Sequence, residues 1–188
     1  MSFVFKCCGL FAVVLIWLSC GAVSWAQTKD ASEYDMKATF LCNLGKFVDW
    51  PAGTFAYTNA PMLIGIYGKN PFDGELADAA QDVVINGHQV VARLVSFNEL
   101  PKCQVLFICP SERKNINAVL RKLNQAAVLT VTENLDPFQT GVIINFAMEK
   151  GQIHFEINDA AAERVGLKIS SKLLMLAPRA DQQLHAKP

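Results

Sequence analysis

Apolar and polar residues alternate along this chain in two distinct rhythms, and the rhythms divide it into elements. From Glu33 to Asp49, apolar residues fall at 36, 40, 41, 44, 47 and 48, a helical spacing that Pro51 ends. Met62 to Tyr67 is a short apolar run closed by Gly68-Lys69-Asn70-Pro71, which predicts a buried strand and a turn. A helix is expected over 72–80. Asp82 to Ile85 and Gln89 to Leu94 flank Asn86-Gly87, the strongest short hairpin signal. Cys103 to Cys109 reads as another buried strand. Over 111–124, Ile116, Val119, Leu120 and Leu123 form one helical stripe.

The pattern repeats toward the C-terminus. Ala127 to Thr132 is a fully buried type of strand, and Val142 to Ala147 pairs with Gln152 to Ile157 through a Glu149-Lys150-Gly151 turn. Asn158 or Asp159 caps a helix through Arg164 that Gly166 stops, and the apolar run 167–177 ends in a helical turn or two. Helices alternate with strands in the middle and hairpins flank them. The expected fold is α/β: one domain, a mixed β-sheet with two hairpins, flanked by helices. No internal repeat or linker divides it.

The first residues follow neither rhythm. Lys6 precedes an unbroken apolar run over 7–20, which relaxes into Gly21-Ala22-Val23-Ser24-Trp25-Ala26. Charge, apolar core and small-residue exit make a secretory signal peptide, with cleavage expected between Ala26 and Gln27. The core is shorter than the roughly 20 residues that span a bilayer, so an uncleaved anchor fits less well. A loose lipoprotein-type box at Leu18-Ser19-Cys20-Gly21 is set aside because Trp17 stands where Leu belongs. The mature chain is then exported, which in a bacterium means the periplasm, and it does not insert in the membrane. The expected layout is a signal over 1–26, a polar lead over 27–32, a domain over 33–178 and a polar tail over 179–188.

Composition narrows the function. Of 188 residues, 17 are Lys or Arg and 17 Asp or Glu, and the leader holds only the one charge of Lys6. A near-neutral mature domain has no electrostatic reason to bind nucleic acid. Three cysteines remain in it, Cys42, Cys103 and Cys109, and an odd number leaves at least one thiol outside any intramolecular bridge. Strand geometry separates Cys103 from Cys109 by about 20 Å, beyond disulfide reach. Cys42 pairs with either only if its helix packs beside their strand.

Catalytic patterns are decorative. Ser111-Glu112-Arg113-Lys114 fits S-x-x-K without its companion motifs, and a serine cap accounts for it. His154-Phe155-Glu156 matches H-x-E without a downstream P-C-x-x-C, so a wet strand face accounts for it. Ser170-Ser171-Lys172 reads as a helix cap. His88, His154 and His185 are too scattered for a metal site. No catalytic residue, cofactor or metal is expected, and the chain reads as a binder or regulator.

Several blocks resemble the YfiR family of periplasmic proteins. They are Tyr34-Asp35-Met36-Lys37-Ala38-Thr39-Phe40-Leu41-Cys42-Asn43-Leu44-Gly45-Lys46-Phe47-Val48-Asp49-Trp50-Pro51, then Ile66 to Phe72, Asn86 to Val90, Cys103 to Ile108, and Phe155 to Ala177. The resemblance implies a homodimeric repressor that binds the periplasmic sensory part of an inner-membrane diguanylate cyclase or similar sensor. It thereby lowers cyclic di-GMP signalling and biofilm formation. A small-ligand module serving another receptor, such as a histidine kinase, is the competing expectation. Trp50, Pro51, Pro71 and Phe72, at element ends, are the expected partner contacts, with core packing weighed against each. The chain departs from the family's redox pattern. Relatives that bridge the strand of Cys103 place the partner cysteine on the strand before the Gly68 turn, where this chain has Gly65 and no cysteine; their second pair, flanking the Gly141 region, is missing, and Cys42 stands where many relatives carry Tyr.

Overall fold

The computed structural model describes residues 26–149 and 152–177. The signal segment before Ala26, Lys150-Gly151 of the expected hairpin turn, and the tail beyond Ala177 lie outside the described residues. The elements in chain order are α1 (Ala26–Leu44), β1 (Val48–Asp49), β2 (Met62–Tyr67), α2 (Glu75–Ala80), β3 (Val84–Ile85), β4 (His88–Leu94), β5 (Val105–Ile108), α3 (Ile116–Leu123), β6 (Leu129–Glu133), α4 (Pro137–Thr140), β7 (Ile144–Glu149), β8 (Gln152–Ile157), α5 (Asp159–Arg164), β9 (Lys168–Ile169) and α6 (Ser171–Leu174).

Seven strands form a mixed sheet in the order β3-β4-β2-β5-β6-β7-β8, and β1 and β9 form a separate antiparallel pair. β4, β2, β5, β6 and β7 run parallel to one another. Antiparallel hairpins close both edges. In the first, Asn86 and Gly87 take φ of 51° and 86°, the doubly left-handed turn that an Asn-Gly pair supplies. The mixed sheet with two hairpins is thus present as the sequence indicates.

Central strands are buried on both faces, which is why they are apolar without interruption. Val105 and Phe107 of β5 enter the core that α1, α2, α5 and α6 cover. Leu106 and Ile108 enter a second core against Ile116, Val119 and Leu123 of α3. The sheet separates the two cores.

Strand ends shift by up to two residues, and the larger departures from expectation are at helix boundaries. The first helix begins at Ala26, the last residue of the expected signal, and runs through the expected polar lead, because no Gly or Pro interrupts the segment. It stops at Leu44 rather than running to Asp49: Gly45 opens a tight 3-10 turn, and Val48 is already extended at φ −127°, ψ 130°. α2 starts at Glu75, after Gly74 at φ 117°. The stretch 110–115 is 3-10 rather than α, entered through Pro110. Capping is otherwise legible: Asn158 Oδ1 accepts the Ala161 N–H at 3.0 Å, and Ser170 Oγ accepts the Leu173 N–H at 3.4 Å. Ser170-Ser171-Lys172 is therefore a cap.

Candidate functional site

α1 is fastened to the sheet by charge. Lys37 is 1% exposed and Glu133, at the carboxyl end of β6, is 2% exposed. The Lys37 ammonium pairs with Glu133 Oε2 and with Glu33 one turn back on α1. Tyr34 Oη donates to the other Glu133 oxygen at 2.8 Å, and the ammonium lies 4.5 Å from the centre of the Tyr34 ring. That ring meets Phe72 edge-on at 5.4 Å, and Phe72 meets Phe107 at 5.0 Å. Burial first, and then the bond to Glu133, push the Tyr34 phenol above its ordinary range. Each charged group is taken up by its neighbours, so the cluster anchors a helix. The Glu33–Lys37 spacing was visible in the sequence, whereas Glu133 carried no local signal.

The neighbouring crevice is filled. Strand order reverses at β2, so the mouth between the carboxyl ends of β2 and β5 is where open α/β sheets bind ligands. Here Ser111 Oγ accepts the Lys69 N–H at 2.9 Å. A Cβ on Gly68 (φ 110°) would lie 2.5 Å from that oxygen. Ser111 is therefore not the expected helix cap. It staples the loop after β2 to the loop after β5.

The outer side of α1 is different. Met36 and Phe40 are each 38% exposed, and the Phe40 ring meets Phe155 of β8 edge-on at 4.8 Å. Beside them Met175 and Leu176, at the end of α6, are 78% and 62% exposed. A cleft of about 350 Å³ opens there, lined by Phe40, Asn43, Lys46, Phe47, Phe155 and Leu176 among others. Lys46 Nζ donates to Asn43 Oδ1 at 2.6 Å on its rim. Three elements distant in sequence thus build one apolar face with a polar margin, the anatomy of a protein-docking surface.

The residues expected from the sequence divide. Trp50 is half-buried and Pro51 exposed, beside a second cleft at the amino end of the sheet. Pro71 is half-buried. Phe72 is fully buried, so the expected contact there gives way to core packing. Ala26 and Gln27 open α1. Cys42, Cys103 and Cys109 are buried and unbridged. Cys42 belongs to the core under α1 and Cys103 to the one under α3, so the sheet stands between them. Burial raises Cys42 and Cys103 to about 11; burial, then the Glu133 and Glu112 charges, raise Cys109 to about 12. None is a nucleophile at neutral pH. Glu156 of the H-x-E pattern accepts from Asn145 Nδ2 at 2.6 Å, within the sheet's own bonding.

No helix among the described residues is long and apolar enough to cross a membrane. Comparison with curated proteins gives no match. Among solved structures, the chain is similar to a conserved domain protein from Vibrio cholerae O1 biovar eltor str. N16961. The two share 15% identity with a TM-score of 0.45, over 62% of this chain and 53% of that one. The chain thus spans about half of that relative's length. The profile of the DUF4154 family, described as YfiR/HmsC-like, matches residues 34–178, from the buried Tyr34–Lys37 anchor to the end of the α6 face. The chain belongs to the YfiR/HmsC-like family.

Proposed function

We propose that this protein is an exported, periplasmic regulator that binds the sensory part of an inner-membrane diguanylate cyclase and holds its output low. Family membership supports the class of role. The observation that carries the reading is the α1–β8–α6 face, where the exposed Phe40 and Leu176 line an apolar cleft and the exposed Met175 adjoins Leu176 in the chain. Exposed residues of that size stay in contact with water only at a cost, and a partner's side chains relieve it. The regulator works by population shift: it binds the inactive arrangement of the sensor more tightly than the active one, and its sequestration releases the sensor. A homodimer presenting two such faces would match a dimeric sensor.

Deleting the gene should raise cyclic di-GMP, and the wild-type gene should restore it. Phe40→Asp puts a charge at the centre of the face and should weaken capture of the cyclase by roughly 30-fold, the loss of about 2 kcal/mol typical of a central anchor. Because the Phe40 ring also packs on Phe155, the urea midpoint should fall while unfolding stays cooperative, and Leu176→Asp, at a 62% exposed position, should weaken capture with the midpoint kept. If nucleotide levels do not respond to deletion and a tagged bait retains no cyclase, the proposal fails.

A further inference from the structure

Between β1 and β2 the chain runs through residues 50–61 without helix or strand. A loop that long inside a compact domain is commonly functional. It is held in place from several sides. The His88 Nδ1 lies 2.6 Å from the Ala60 carbonyl, Gln104 Nε2 donates to the Thr54 carbonyl at 3.4 Å, and the Thr54 N–H turns back to the Pro51 carbonyl at 3.3 Å.

The loop and its neighbours build an aromatic cleft of about 580 Å³, within the range of small-ligand sites. The Trp50 and Phe55 rings stand 6.2 Å apart and 70° to one another. Phe55 stacks on His88 at 3.7 Å, and Tyr57 is 64% exposed. The indole N–H of Trp50 has no acceptor, so packing rather than hydrogen bonding holds that ring.

The cleft's charge is one-sided. Asp49 lines it, and no Lys or Arg does. Facing a carbonyl at 2.6 Å, the Nδ1 of His88 donates to it and fixes the ring against the loop. The aromatic faces and the carboxylate favour positive charge, and Trp is the strongest of the ring partners. Lys168 stands opposite Asp49 in the β1–β9 ladder, outside the lining, and offsets part of that field.

We propose that this cleft binds a small organic ammonium ion, seated against the Trp50 and Tyr57 rings with Asp49 as its counter-charge. The site lies at the amino end of the sheet, apart from the α1–β8–α6 face, so neither proposal stands or falls with the other.

Trp50 reports on the site directly. With Trp17→Phe and Trp25→Phe in the full chain, it is the sole indole whether or not the leader is removed. Choline chloride should change its emission saturably, with half-saturation at about 1 mM or below, and calorimetry should give the same midpoint. Tyr57→Ala and Asp49→Asn, both at exposed positions, should each weaken binding by roughly five- to tenfold. Lys168→Gln should tighten it. Three outcomes overturn the proposal: a response no larger than that to sodium chloride, an equal response to the neutral isostere 3,3-dimethylbutan-1-ol, or Tyr57→Ala and Asp49→Asn variants that retain their fold and bind like the parent.

Discussion

Lys37 brings an ammonium group into a place where 1% of the residue remains exposed, and only Glu133, Glu33 and the face of Tyr34 make that tolerable. Removing the cation alone leaves the buried Glu133 carboxylate with only the Tyr34 hydroxyl to offset its charge. Lys37→Met should therefore lower unfolding free energy by about 3–5 kcal/mol, read from urea denaturation, and adding Glu133→Leu should recover much of it. If the single and double variants are equally unstable, the pair is not what holds α1. At this scale the sequence was only half readable. Glu33 and Lys37 advertise themselves by their i,i+4 spacing, but Glu133 lies at the end of an apolar strand and becomes a partner only through the fold. Phe72 shows the reverse: core packing is the weightier reading of a Pro-Phe pair at an element end, and Tyr34 and Phe107 close over the ring.

Strands approach the α3 layer more closely at Gly65 than any larger residue permits. A Cβ there would lie 2.4 Å from Cys103 Sγ and 3.0 Å from a Val95 methyl. Gly65→Ala should cost about 1–3 kcal/mol by overpacking. Combining it with Cys103→Ala should restore part of the loss, because the obstructing sulfur is gone; a double variant no more stable than the single would rule out this contact. The elements read correctly from the sequence are those with local causes: the apolar runs of β2, β5 and β6, the Asn86-Gly87 turn, and the Asn158 and Ser170 caps. β1 and β9 escaped notice because each has two residues, and their pairing is set by distant partners. Phe47 and Val48 also continue the apolar spacing of α1, which hid the point where helix gives way to strand.

Among the described residues three neutral thiols lie inside two cores, and they shape the response of the whole molecule to alkali. In the folded state they stay protonated to about 11 or 12, whereas an unfolded thiol ionises near 9.0. Between those values the unfolded chain has released protons that the native chain retains, so stability falls as pH rises. It is fully present below pH 9 and declines above it by up to about 1.4 kcal/mol per pH unit for each thiol. Urea midpoints from pH 8 to 10 should show the decline, and changing Cys42, Cys103 and Cys109 to Ala should flatten it there; above pH 10 the raised Tyr34 phenol adds a decline of its own. Thiol titration of the processed protein should find three reactive groups after denaturation without reductant and almost none before; fewer than three would mean that a bridge forms.

The small β1–β9 ladder has a consequence for how the molecule is completed. It joins the segment just after the first helix to a strand near the far end of the described chain, and the Ser170 N–H adds a bond to the Phe47 carbonyl at 2.8 Å. The ladder therefore ties the exit of the first helix to a distant stretch of chain, so that loosening either end loosens the other. Truncation before Lys168 removes the clasp over Val48, and limited proteolysis should then cut near residues 45–50 faster than in the full chain.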